Sequence, residues 1–157
     1  MKEVNIYTDG ACTGNPGKGG FGAILIYNGN EKYISEGYRL TTNNRMELLA
    51  PVRALKLLKE KCKVNIYSDS KYLTDAINQS WLMGWVKNNW KKADKKPVLN
   101  VDLWKQLYEL MQVHDITFIW VKGHAGNHYN EICDKLAVEA YTNSATNIDI
   151  EYEKENI

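Results

Sequence analysis

Val4-Asn5-Ile6-Tyr7-Thr8-Asp9 is written twice, because sixty residues later the chain reads Val64-Asn65-Ile66-Tyr67-Ser68-Asp69. Both copies are rich in β-branched and aromatic residues, as a pleated strand prefers, and both end on an aspartate. A helical stretch lies between them, so strand, crossover and parallel strand is the economical arrangement. Ligands of open α/β sheets gather beyond the carboxyl ends of the strands. Neighbouring strands lie about 4.8 Å apart, so terminal aspartates at one level would face the same small volume. Carboxylates that close repel one another unless a proton or a cation sits between them. A lone Asp at a strand end more simply starts a turn or caps a helix. The matched pair favours a cation site.

Beyond Asp9, residues 10–22 hold so many glycines that no side-chain period survives, which predicts a loop. The loop contains G-x-G-x-x-G at 17–22. A dinucleotide fingerprint needs a helix after it, and the strand-like run Ala23-Ile24-Leu25-Ile26-Tyr27 follows instead, so a nucleotide-binding fold is rejected. Cys12 and Asn15 could still hydrogen-bond to something bulky brought against this loop. Asn28-Gly29 signals a hairpin with a return strand over 32–40, giving an antiparallel meander whose first member pairs with the strand ending at Asp69.

Thr41-Thr42-Asn43-Asn44 predicts the opening of a helix that runs through Lys61, with Met46, Leu48, Leu49, Leu55 and Leu58 at helical spacing. Glu47 follows Asn44 by three residues, the position of a capping-box acid. Pro51 removes the amide that would bond the Glu47 carbonyl and predicts a bend or a first turn set apart. A helix over 71–79 follows Asp69. Next, Trp81, Trp85 and Trp90 interleave with lysines: over 81–97, Lys87, Lys91, Lys92, Lys95 and Lys96 oppose only Asp94, a local balance of +4. Such a segment either packs as a helical hairpin with solvated lysines or tracks a phosphate backbone, and composition leaves both open. A helix over 101–112, a strand over 115–121 and a loop with His124 and His128 come next. The last predicted helix, 129–141, buries Cys133, Leu136, Ala137 and Ala140, with Asp134 beside that stripe. Residues 142–157 carry a balance of −3, and 148–152 predicts an edge strand or a disordered tail.

With 157 residues, 44% hydrophobic and 25% charged, the chain has the composition of one soluble domain with a real core. No apolar run approaches the roughly 20 residues of a membrane span, and Met1-Lys2-Glu3 leads into a strand without an apolar signal region. A cytoplasmic monomer is expected. Cys12, Cys62 and Cys133 are odd in number and lack metal-ligand spacing, so reduced thiols are expected. The net charge of +1 hides the basic segment and the acidic tail.

In chain order the motifs read Tyr7-Thr8-Asp9-Gly10, Gly14-Asn15-Pro16-Gly17, Thr42-Asn43-Asn44-Arg45-Met46-Glu47, Ser68-Asp69-Ser70, Asn88-Asn89-Trp90-Lys91-Lys92 and Val121-Lys122-Gly123-His124-Ala125-Gly126, with Cys133-Asp134 behind them. Over about residues 3–142 this resembles the type 1 ribonuclease H family. The resemblance implies an α/β ribonuclease H-like fold: a five-stranded mixed sheet in spatial order 3-2-1-4-5, flanked by helices on both faces. It implies a catalytic domain over 1–142 with a basic handle at about 81–97, then an acidic tail over 143–157. It also implies that Asp9, Glu47, Asp69 and Asp134 converge on two Mg²⁺ ions, with Mn²⁺ able to substitute. His124 matches a mobile histidine that assists proton transfer or product departure. Cys12, Asn15, Asn43 and Asn44 match positions touching an RNA–DNA hybrid near the scissile strand. Trp81, Trp85, Lys87, Trp90, Lys91 and Lys92 match the handle that grips the DNA strand.

The chemistry agrees with the resemblance. Two Mg²⁺ ions about 4 Å apart can activate a water and hold a departing 3′ oxygen, and an oxygen-only donor set suits Mg²⁺. His124 titrates near neutrality and could shuttle the proton. Small amides can read the 2′-hydroxyls that distinguish RNA. The expected activity is therefore endonucleolytic hydrolysis of the RNA strand of a hybrid, leaving 5′-phosphate and 3′-hydroxyl ends. A non-catalytic hybrid-binding module is disfavoured by the intact acids, whose charge would oppose binding. A DNA-directed nuclease of the same superfold is disfavoured by the handle and the Asn-rich loops. Three features depart from the family pattern: His128 stands one place late, after Asn127; the handle opens on an apolar run, Trp81-Leu82-Met83; and Pro51 has no counterpart role.

Overall fold

The two copies of the repeat pair with each other, residue for residue. In the computed structural model, which describes residues 1–123 and 126–156, strand β1 (Lys2–Cys12) runs parallel to β4 (Cys62–Ser68). Val4 lies opposite Val64, Asn5 opposite Asn65, Ile6 opposite Ile66 and Tyr7 opposite Tyr67. Strands β2 (Gly17–Tyr27) and β3 (Asn30–Thr41) complete the expected meander, and β5 (Asp115–Trp120) adds parallel to β4. The spatial order is β3-β2-β1-β4-β5, as the resemblance implied.

Period-two alternation decides what each face does. Val4, Ile6 and Thr8 of β1, with Val64, Ile66 and Ser68 of β4, are buried on one face. That face is covered by α1 (Asn43–Lys56), and by α2 (Lys71–Asn78) and α4 (Val101–Val113) toward β4 and β5. Each fully buried aliphatic side chain there contributes about 1.5–3 kcal/mol. The opposite face over β1–β3 is covered by α5 (His128–Ser144).

Three expectations are corrected. Residues 10–22 are mostly strand, not loop: β1 continues to Cys12 and β2 begins at Gly17. The glycines serve packing, since a Cβ at Gly22 would lie 2.5 Å from the Cys133 carbonyl oxygen of α5. Helix α1 ends at Lys56, not Lys61; Leu57 caps it, and the polar residues after Leu58 lead directly into β4. Pro51 lies buried within α1 without ending it. The acidic tail makes neither an edge strand nor a structureless end. Asn147 forms a single parallel bridge with Tyr38 on β3, and helix α6 (Ile150–Asn156) follows. Among the described residues no helix is long and apolar enough to cross a membrane.

Candidate active site

The parallel register carries Asp9 and Asp69 to the same end of neighbouring strands. Thr8 pairs with Ser68, the last residue of β4, so the two aspartates follow at one level. Asp9 is only 6% exposed, and its Oδ1 accepts from the Gly10 amide at 2.9 Å. Gly10 has no side chain because α1 crosses there: a Cβ would lie 2.5 Å from the Glu47 amide nitrogen. That close approach brings Glu47 to the end of β1.

Helix α1 is capped by Thr42, whose hydroxyl accepts from the Arg45 amide at 3.2 Å. Glu47 is therefore too far into the helix to close a capping box. Instead its Oε1 accepts from Asn43 Nδ2 at 2.6 Å, which aims the carboxylate across the first turn. On α5, the Cys133 thiol donates to the Tyr7 carbonyl at 3.3 Å, fixing the neighbouring Asp134 over β1. Asp69 is held at its backbone by Trp120. Trp120 at the end of β5 donates its indole N–H to the Asp69 carbonyl at 3.1 Å, and Lys71 lies over the Trp120 ring at 4.8 Å. A Cβ on Gly123 would lie 2.6 Å from Asp69 Oδ2.

The electrostatics match this crowding. Burial first, and then the charges of Asp69 and Asp134, push the Asp9 carboxyl up to about 9. Burial also raises Glu47, opposed by the Ser70 hydroxyl and the Asn43 amide and reinforced by Asp69. Burial and the Asp9 charge raise the Cys133 thiol. No ion pair among the described residues involves any of the four acids. Also among the described residues, no three His, Cys, Asp or Glu side chains close into a ready metal cage. The four acids do not close on one point, but they stand within electrostatic reach of one another: Asp9 feels Asp69 and Asp134, and Glu47 feels Asp69. Carboxylates that crowd a buried Asp9, with no ion-pair partner among the described residues, fit a divalent cation that retains waters.

The other sequence-selected residues divide into groups. Asn15 and Asn43 meet, with Asn15 Oδ1 accepting from the Asn43 amide at 3.1 Å. Cys12 donates to the Thr41 carbonyl at 3.6 Å, while Asn44 and Asn15 line one cleft. In the handle, α3 (Trp81–Lys87) leads into a turn closed by the Lys91–Pro97 bridge. Trp85 meets the edge of Trp104 at 5.4 Å and Trp90 that of Tyr108 at 6.1 Å, so these rings hold the handle to α4. Trp81, 47% exposed, and the exposed Lys87 and Lys91 present an open surface. Lys92 lies 3.9 Å from Asp94. His124 falls outside the described residues, and His128 packs edge-on against Tyr129.

Arg45 has a role that the sequence reading missed. Buried beside Glu47's turn, it makes bidentate bonds to Asp102 (2.7 and 2.9 Å) and to Asp149 (2.7 and 3.0 Å). An arginine on the apolar side of an amphipathic helix was the available signal, since such a charge must be paired.

Residues 1–142 match the family model described as RNase H. The chain is 55% identical over 144 residues to "Ribonuclease H" of Chlorobium phaeobacteroides, covering 92% of this chain and 99% of that one. It is 51% identical over 156 residues to "Ribonuclease H" of Rippkaea orientalis, covering 99% and 96%. Among solved structures, LC9-RNase H1, described as a type 1 RNase H with the type 2 active-site motif, superposes with a TM-score of 0.81. That pair is 28% identical, covering 99% of this chain and 81% of that one. LC11-RNase H1 in complex with RNA/DNA hybrid shares the fold, with a TM-score of 0.67 at 23% identity, covering 91% and 99%.

Proposed function

Because the chain belongs to the ribonuclease H family, we propose that it cuts the RNA strand of RNA–DNA hybrids internally, with Asp9, Glu47, Asp69 and Asp134 holding divalent cations, Mg²⁺ first among them. The observation that carries this reading is Asp9: nearly buried, in no ion pair among the described residues, and pushed up to about 9 beside Asp69 and Asp134. When bound, the cations supply Lewis acidity that lowers the pKa of the attacking water and stabilises the leaving 3′ oxygen.

The chain's own groups do the positioning. Asn43 keeps Glu47 turned toward the cluster, and Trp120 keeps the β4 end fixed under Asp69. Asn15, Asn43 and Asn44 lie on the adjoining surface, where small amides can donate to and accept from 2′-hydroxyls and so select RNA. Cys12 lies beside them. His124 moves the proton at the reacting phosphate, or assists departure of the product. The handle's Lys87, Lys91 and Lys92, with Trp81, bind the partner strand by charge and stacking, while Trp85 and Trp90 secure the handle's shape. The products carry 5′-phosphate and 3′-hydroxyl ends. The working unit in this reading is a monomer, and Cys12, Cys62 and Cys133 are free thiols, which supports a reducing, cytoplasmic setting.

The test uses labelled RNA–DNA hybrid, duplex DNA and single-stranded RNA, each incubated with Mg²⁺ and with chelator. Internal cuts confined to the hybrid's RNA and abolished by chelator are expected. Retention of hybrid without cutting would make the protein a binding module instead, and cleavage of duplex DNA would make it a DNA nuclease.

A further inference from the structure

The family match ends at residue 142, ahead of the acidic tail, yet that tail is firmly built. The Arg39 amide donates to the Asn147 carbonyl at 3.0 Å, and the Asn147 amide donates to the Gly37 carbonyl at 3.2 Å. Asp149, 8% exposed, accepts from Arg45 and from the Thr41 hydroxyl at 2.7 Å. Glu153, equally buried, accepts from Arg39 at 2.7–3.2 Å. Two of the tail's four acids are therefore spent on anchoring α6 against β3 and the start of α1.

The remaining two face different ways. Tyr152, Glu155 and Asn156 stand at i, i+3 and i+4, one face of the helix. They line a cleft of about 460 Å³ whose other walls include Asn15, Asn44 and Asn100. Glu151 lies on another face and lines a separate cleft with Arg53 and Lys56.

We propose that α6 is a wall of the nucleic-acid cleft and that the charge of Glu155 weakens the grip on the hybrid. The proposal rests on the hybrid-cleaving reading above, because Asn15 and Asn44 are the substrate-facing residues that share the cleft. A backbone phosphate drawn to those amides stands within about one Debye length, ~10 Å at 0.1 M salt, of the Glu155 carboxylate. A single like charge at that range in water changes affinity about twofold at low salt, and less as salt screens it. Glu155 acts on binding alone, so it moves KM and not kcat.

The test compares Glu155→Gln, Glu155→Lys and Glu151→Gln, with binding of labelled hybrid measured in the Asp9→Asn background over a series of salt concentrations. Glu155→Gln should bind about twofold tighter than its parent at low salt, and Glu155→Lys tighter still. The differences should close as salt rises, and Glu151→Gln should match the parent. In otherwise unaltered enzyme, Glu155→Gln should lower KM and leave kcat unchanged. Equal affinity of Glu155→Gln and parent overturns the proposal, and so does an equal gain from Glu151→Gln, which would mean that net charge alone is sensed. A parent that fails to retain hybrid at all would instead overturn the hybrid-cleaving reading and the proposal with it.

Discussion

Replacing Asp9 with Asn removes the buried ionisable group from a cluster that, without cations, opposes its own folding. The carboxyl is pushed from an ordinary 3.8 up to about 9 in the folded chain. A folded value above the unfolded one means that the associated stability is full below about pH 4 and is lost as pH rises toward 9. At pH 7 the folded state must take up a proton that the unfolded chain has given away. Roughly three pH units at about 1.4 kcal/mol each set that cost at up to about 4 kcal/mol. Asn takes up no proton, and its Oδ1 can still accept from the Gly10 amide as Asp9 does. In chelator at pH 7, Asp9→Asn should therefore be more stable than the parent by about 2–4 kcal/mol, about 6–12 °C in Tm for a domain of this size, while losing cleavage. The assay is urea unfolding followed by circular dichroism at pH 5 and pH 7, with chelator and with Mg²⁺. The gap should shrink at pH 5, and Mg²⁺ should stabilise the parent more than the variant. A variant no more stable than the parent at pH 7, or a gap that widens as pH falls, would refute the reasoning.

Other expectations concern the groups around the cluster. Gly123→Ala puts a Cβ 2.6 Å from Asp69 Oδ2; hybrid cleavage should fall at least about tenfold while stability changes by less than about 1 kcal/mol, compared by initial rates and urea unfolding. Arg45→Ala leaves the buried Asp149 facing no cation, so unfolding free energy should drop by about 3–5 kcal/mol. His114 is 6% exposed, its Nδ1 accepts from the Cys62 amide at 3.1 Å, and burial lowers its pKa. Its contribution should be complete above about pH 6.5 and be lost as pH falls below that toward the folded value. His114→Asn, which offers an oxygen to the same amide, should flatten that part of the stability profile.

The central sheet was legible because its information is local. A strand written twice, each copy ending on an acid, pairs in register, and one hairpin sets β2 and β3 on its far side; the place of β5 came from the family resemblance. The acids were legible as a pair at Asp9 and Asp69; Glu47 and Asp134 each passed as an ordinary helix residue until the family's motifs tied them together. What the sequence obscured lies in long-range packing. The glycines of β2 look like a loop because their reason is α5, more than a hundred residues away. The tail reads as an edge strand or a disordered end because its acids read as solvated, when Asp149 and Glu153 are paired with Arg45 and Arg39. For Trp85 and Trp90 composition left packing and stacking both open, and their rings meet Trp104 and Tyr108. Side-chain pairing across distant elements leaves no periodic trace in a single chain.

Everything functional depends on whether the four acids gather cations. Crystals soaked in Mn²⁺, with anomalous diffraction recorded at the manganese edge, address this directly. Peaks are expected among Asp9, Glu47, Asp69 and Asp134, and they should be lost or weakened in Asp9→Asn crystals treated alike. Peaks elsewhere on the protein, or none in crystals of an enzyme that still cuts hybrid, would contradict a cation site at the carboxyl ends of β1 and β4.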